Sequence, residues 1–111
     1  MSEGTIQFTP ASLQQMADVL AELLKEQIRA RLDMNGNPFP PAVDFIQSGA
    51  LLRSIRGVVV NGVPMVEIGV PHAIYVNARY GFAGICPQWQ PELERRLQPI
   101  AEKGAYLAPT R

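Results

Sequence analysis

A chain of 111 residues is one domain's worth of polypeptide, since a single core typically serves about 100–150 residues. Apolar residues make up 47% of it, too many for an intrinsically disordered chain, and ten Lys and Arg balance ten Asp and Glu. That zero formal charge argues against a free duplex-DNA binder, which needs a basic excess to meet phosphates.

The other totals narrow the class further. One cysteine, Cys86, cannot staple the chain, so a disulfide scaffold is excluded and a reducing cytoplasm is expected. Met1-Ser2-Glu3-Gly4 lacks a basic stretch followed by an apolar run, so no secretory leader is expected. No apolar run approaches the ~20 residues that span a bilayer, and no membrane partner is expected either. Neutrality removes long-range repulsion between copies, which suits self-association. Ten prolines and nine glycines cluster in residues 35–41, 61–64 and 81–91 and divide the chain into short elements.

The first predicted element is a helix over residues 10–32. Thr9 serves as N-cap and Pro10 takes the first helical position, where a missing N–H costs nothing; Ser12 with Gln15 offers a second capping box. Leu13, Met16, Leu20, Leu23, Leu24, Ile28 and Leu32 form one apolar stripe at helical spacing, with Glu22, Lys25, Glu26 and Arg29 opposite. Part of so long a stripe is available to a neighbouring subunit. Asp33-Met34-Asn35-Gly36-Asn37-Pro38 ends the helix, with Gly36 free to turn left-handed. Phe39-Pro40-Pro41-Ala42-Val43 is extended, because a residue before proline is driven out of the helical region.

A short helical turn follows over residues 48–53. The β-branched Val58, Val59 and Val60 mark a strand over residues 55–60, Asn61-Gly62 a tight turn, and residues 65–70 the returning strand. Val66, Ile68 and Val70 then share one face, Met65, Glu67 and Gly69 the other. Residues 71–80 read as irregular or helical and residues 81–87 as loop, with Ile85 a possible strand residue. A last helix over residues 91–103 buries Leu93, Leu97 and Ile100, and Pro99 predicts a kink or an early end. The whole is one α+β domain over residues 1–111, with residues 1–8 and 104–111 as loose tails.

Candidate chemistry is sparse. His72 has no positioned polar partner nearby in sequence, as a general base would need. Cys86 and His72 together supply at most two strong zinc ligands where three or four are required, so neither metal nor cofactor is expected. The serines make no nucleophile elbow, and Gly57, Gly62 and Gly69 surround a hairpin instead of a phosphate loop. Arg53 and Arg56 can meet an acid, a phosphate or a partner, but a solvated edge is the commoner fate of such charges. Arg95-Arg96 reads the same way. Tyr75, Tyr80, Phe82 and Trp89 crowd one loop-rich stretch, where aromatics anchor one protein in another; a core role competes for Tyr75 and Trp89.

Four strings in order carry a resemblance: Gly36-Asn37-Pro38-Phe39-Pro40-Pro41, then Ser48-Gly49-Ala50-Leu51-Leu52-Arg53-Ser54-Ile55, then Val66-Glu67-Ile68-Gly69-Val70-Pro71-His72-Ala73-Ile74-Tyr75-Val76, and Pro87-Gln88-Trp89-Gln90-Pro91-Glu92-Leu93. Their order resembles the tail-completion and "virion morphogenesis" families of long-tailed bacteriophages, including minor tail proteins of lambda-like phages. The resemblance implies a non-enzymatic α+β subunit, in the host cytoplasm during assembly and then in the virion tail or neck. Its partners would be its own copies, in a ring of about six, and adjacent tail-tube or neck proteins. Such a ring needs two unlike patches on each subunit. The candidate interaction residues are Phe39, Leu51, Arg53, Arg56, Tyr75, Tyr80, Phe82 and Trp89. The competing reading is a small cytosolic α+β enzyme or toxin-type ribonuclease, in which Arg53, Arg56 and His72 converge on a cleft. Assembly instead requires a large apolar patch left exposed on the monomer. A third reading, a nucleic-acid accessory, requires a basic face.

Overall fold

A computed structural model describes residues 4–39, 49–71, 73, 77 and 81–109. The expected extended segment beyond Phe39 and the expected helix start at Ser48 lie outside them, as do His72, Tyr75 and Tyr80. The architecture is α+β. In chain order it runs through strand β1 (Gly4–Phe8), helix α1 (Pro10–Arg29), the short helix α2 (Ala50–Ser54), and strands β2 (Ile55–Val60) and β3 (Val63–Ile68). A 3-10 turn (Pro87–Trp89), helix α3 (Gln90–Gly104) and strand β4 (Ala105–Pro109) follow. Ala73 and Asn77 are also helical.

Helix α1 starts where its sequence dictates. Thr9 Oγ1 accepts the Ser12 N–H at 3.2 Å, and Pro10 fills the first turn. It stops earlier than periodicity predicts, because Arg31 takes a left-handed φ of 61° and Ala30 closes the helix after Arg29. Leu32 instead pairs with Pro38 in an isolated bridge. Between them Asp33 Oδ1 accepts the N–H groups of Asn35 and Asn37 at 2.8 and 2.9 Å, and Gly36 adopts φ +84°.

The central hairpin has the predicted two-residue turn: Val60 pairs with Val63, and Asn61 and Gly62 take φ of 51° and 78°. Both values are positive, as a type I′ turn requires, and its twist matches that of the strands. The returning strand spans Val63–Ile68, two residues earlier than residues 65–70, since so tight a turn lets pairing begin at once. Ile85 sits in loop and not in a strand.

The core lies between α1 and this hairpin. Ala21, Leu24 and Ile28 meet Phe39, Leu51, Ile55, Ala73 and Phe82, with Val66, Ile68, Val70 and Ile85 packed around them. Gly57 lets β2 approach so closely that an added Cβ would strike the Ala17 carbonyl group and lie 2.6 Å from the Asp18 nitrogen. Gln14 Nε2 fastens that crossing by donating to the Gly57 carbonyl at 3.0 Å.

Two expectations need correction. Residues 4–8 and 105–109 are not loose tails: β1 and β4 pair antiparallel, with Ile6 opposite Leu107 and Gln7 opposite Tyr106. The strands meet because the Thr9 N–H donates to the Gly104 carbonyl at 3.1 Å, which brings the start of α1 to the end of α3. Of the kink or early end expected at Pro99, the early end does not occur, since α3 continues to Gly104. Pro99 lies on the exposed side, as does Arg95 one turn before it, so the carbonyl that loses its partner is accessible to water.

Candidate interaction surface

The hairpin presents two chemically different faces. Ile55, Gly57 and Val59, with Pro64, Val66 and Ile68, form the face toward α1. Directly opposed pairs on the other face are Val60 with Val63, Val58 with Met65 and Arg56 with Glu67. Val60, Val63 and Met65 are exposed there. An Arg56–Glu67 ion pair closes the end of this face away from the turn. The result is an apolar outer surface bounded by one neutralised charge pair.

The β1–β4 ribbon continues the exposed apolar surface. Gly62 at the hairpin turn joins Ile6, Gln7, Phe8 and Leu13 around a depression of about 250 Å³, so the hairpin tip lies beside β1. Ile6 and Leu107 share one face of the ribbon and are 72% and 68% exposed. On the other face Tyr106 donates its hydroxyl to Gln7 Oε1 at 3.2 Å. A two-stranded ribbon of this length is marginal in water unless something covers it.

Two further hollows lie beside β3, the larger one lined also by Asn77. One, of about 230 Å³, is lined by Leu20, Leu24, Val66, Ala83, Gly84 and Ile85. The second, of about 360 Å³, shares Val66 and Ala83 with it and extends along Ile68 and Val70 to Phe82. The loop that forms their far wall is held by one buried side chain. Gln27, fully buried on α1, donates Nε2 to the Gly84 carbonyl at 2.7 Å and to the Asp33 carbonyl at 3.4 Å. Its Oε1 accepts the Cys86 N–H at 2.8 Å.

Charge is concentrated between the two long helices. Arg96 Nη1 and Nη2 reach Glu26 on α1 at 2.6 and 3.2 Å, and Arg96 Nε reaches Glu92 at 2.7 Å. Arg95 grips the same Glu92 with two bonds of 2.6 and 2.8 Å. Hydrogen bonds from Arg95 and then Arg96 hold the Glu92 carboxyl down at about 2, and the Arg96 guanidinium lowers Glu26. Both arginines are raised in turn, Arg95 by Glu92 and Arg96 by Glu26 and Glu92. Arg96 is therefore a clamp between helices, beyond the plain solvated charge that its sequence suggests, whereas exposed Arg95 pairs with Glu92 of its own helix.

The candidate interaction residues separate into three groups. Phe39, Leu51 and Phe82 are buried in the core and cannot belong to a docking surface of the folded subunit. Their assignment is corrected: each faces Leu24, Ile28 or Ile55, and burial there is the stronger use of an apolar side chain. Arg56 is exposed on the outer hairpin face, and Arg53 is exposed on α2 with its guanidinium lying over Gly49. Trp89 is half-buried at the entry to α3. Tyr75 and Tyr80 lie outside the described residues, as does His72, so of the alternative triad only the two arginines are placed: Arg56 is held by Glu67, and Arg53 sits on another element.

Among the described residues, no group of three or more His, Cys, Asp or Glu could hold a metal ion, and no helix is long and apolar enough to cross a membrane. Sequence reasoning missed the ribbon, whose one local signal is the alternation Thr5-Ile6-Gln7-Phe8. No family model, no curated protein and no solved structure matches this chain.

Proposed function

We propose that this chain is a structural subunit of a tailed bacteriophage or prophage, acting in a tail-completion or head–tail joining ring by docking and self-assembly. Catalytic turnover has no part in this reading. The observation that supports it is the exposed apolar surface formed by Val60, Val63 and Met65 on the hairpin and by Ile6 and Leu107 on the ribbon. Side chains of this size cost free energy in water, and grouped ones mark a surface meant to be covered by protein. The ordered motifs from Gly36 to Leu93 supply the second support, through their resemblance to the phage families. Copies of the chain and the neighbouring tail-tube or neck proteins are the partners that this reading requires.

The test is genetic and morphological. Deleting the coding sequence from its replicon and inducing particle production should yield heads and tails that fail to join, or tails of aberrant length. Supplying the chain in trans should restore whole particles. Normal infectious particles made without it would overturn the proposal.

A further inference from the structure

We propose that Asn61 is a self-modification site, whose carboxamide is attacked by the Gly62 backbone nitrogen, and that the fold spares the chain's other Asn-Gly step at Asn35. The inference needs only the hairpin turn and the loop after α1, and is independent of the assembly reading.

Asn-Gly occurs twice in the chain, at Asn35-Gly36 and at Asn61-Gly62. Glycine after asparagine leaves the backbone nitrogen unshielded, because no Cβ stands beside it. Hydroxide takes the proton of that nitrogen, which then bonds to the asparagine Cγ. The Cγ–Nδ2 bond breaks, and Nδ2 takes a proton from water and leaves as ammonia, which returns the hydroxide. Water opens the resulting cyclic imide at either carbonyl. One opening gives aspartate; the other gives isoaspartate, in which the backbone runs through Cβ and Cγ. Asn37 has no such route, since the nitrogen of Pro38 carries no proton.

The two steps stand in opposite surroundings. At the hairpin tip both Asn61 and Gly62 are exposed, and a Cβ built on Gly62 would meet nothing within 4 Å. The ladder closes between Val60 and Val63, which leaves the Gly62 N–H outside it. Among the described residues, that N–H donates to no backbone carbonyl. The attacking atom is therefore free to move, and opening the tip disturbs no packed side chain.

Asn35-Gly36 is tied down. Gly36 is half-buried, and its N–H, the would-be nucleophile, donates to the Asp33 carbonyl at 3.0 Å. The Asn35 N–H donates to Asp33 Oδ1 at 2.8 Å. The Gln88 amide lies over Gly36 and donates to its carbonyl at 3.2 Å. The Asp33 carboxylate, so close by, also opposes the loss of a proton from the Gly36 nitrogen.

The products differ in what the turn accepts. Aspartate fits, since Asp-Gly is among the preferred pairs of a type I′ turn. Isoaspartate adds one carbon to the backbone, so the tight link from Val60 to Val63 no longer closes in register. Either product sets a carboxylate beside exposed Val60 and Val63.

The test incubates the folded chain at mildly alkaline pH and follows both sites by peptide mapping with mass spectrometry. Conversion at Asn61 should outrun that at Asn35 by about fivefold or more, the factor that one hydrogen bond at the attacking nitrogen makes in a rate. In urea the two steps should convert alike, because the fold that separates them is gone. The variant N61G keeps a Gly-Gly turn and should form far less of the acidic species, with circular dichroism to check that it folds. A smaller ratio in the folded chain would overturn the proposal, as would an Asn61 that stays intact while the chain in urea converts. Acidic species that form as fast in N61G would overturn it too. A preference equally strong in urea would overturn the part assigned to the fold.

Discussion

Gln27 shows how much one polar side chain can hold. Its amide is fully buried and bonded on both ends, and those bonds fix the loop around Gly84 and Cys86 that walls the apolar hollows. Gln27→Met keeps the volume and removes the bonds, leaving the Gly84 carbonyl and the Cys86 N–H to be buried without their partner. Each such loss costs about 1–3 kcal/mol, so urea unfolding should show a destabilisation of about 2–6 kcal/mol. A change under about 0.5 kcal/mol would mean that water replaces the amide freely. Gly57 makes the complementary case, where adding one carbon is the injury. Gly57→Ala drives a methyl into the α1 backbone at Ala17 and Asp18, which has no rotamer with which to yield. Thermal unfolding should report a loss of about 1–3 kcal/mol or more, against a far smaller effect for alanine at exposed Gly69. Neither residue announces its role in sequence. A glutamine on a helix reads as solvated until the loop that covers it is known, and Gly57 reads as a weak point in a strand until the helix beneath it is placed.

Between elements, the Glu26–Arg96–Glu92–Arg95 cluster sets an acid limit on how α1 and α3 hold together. Both carboxylates titrate below their ordinary value of 4.5 in the folded chain, Glu92 at about 2. A group lowered by folding contributes stability that is full above its unfolded value and lost as pH falls through its folded one. Urea midpoints should therefore decline between about pH 4.5 and 2. In Arg96→Gln that decline should flatten, because the guanidinium that lowers Glu26 and helps lower Glu92 is gone. An identical slope in both proteins would show that solvent screening leaves the clamp without effect, which is the usual fate of exposed pairs. Elements differed in how readable they were for a related reason. The hairpin was legible because Asn61-Gly62 and the run Val58-Val59-Val60 are local signals. The start of α1 was legible through Thr9-Pro10. The terminal ribbon was not, since its strands are about a hundred residues apart, and the short alternation Thr5-Ile6-Gln7-Phe8 cannot say which distant segment it pairs with. Phe39 and Phe82 went astray because an apolar side chain in a Pro- and Gly-rich stretch looks the same whether it turns inward or outward, and Leu51 because α2 is too short for periodicity to show its buried side.

At the scale of the whole molecule, shape and charge distribution agree on the kind of contact to expect. The chain extends 60 × 27 × 19 Å with a radius of gyration of 16.4 Å, against about 13 Å for a compact domain of this length. The exposed apolar side chains gather where the ribbon at the start of α1 meets the hairpin tip at Gly62. Among the described residues the chain's ion pairs lie on and between α1 and α3 and at the end of the hairpin away from the turn. If the assembly reading holds, contact through the exposed apolar side chains Ile6, Val60, Val63, Met65 and Leu107 should therefore ignore ionic strength. The association constant should change by less than about threefold between about 0.05 M and 0.5 M sodium chloride, since screening acts on charges and these surfaces carry none. Sulfate should strengthen association and cooling should weaken it, as apolar burial requires, with a negative heat-capacity change by titration calorimetry. A fall of tenfold or more across the same salt range would place Arg56, Glu67 or the helix clamp in any contact between copies, and the exposed apolar side chains would then not be its main source.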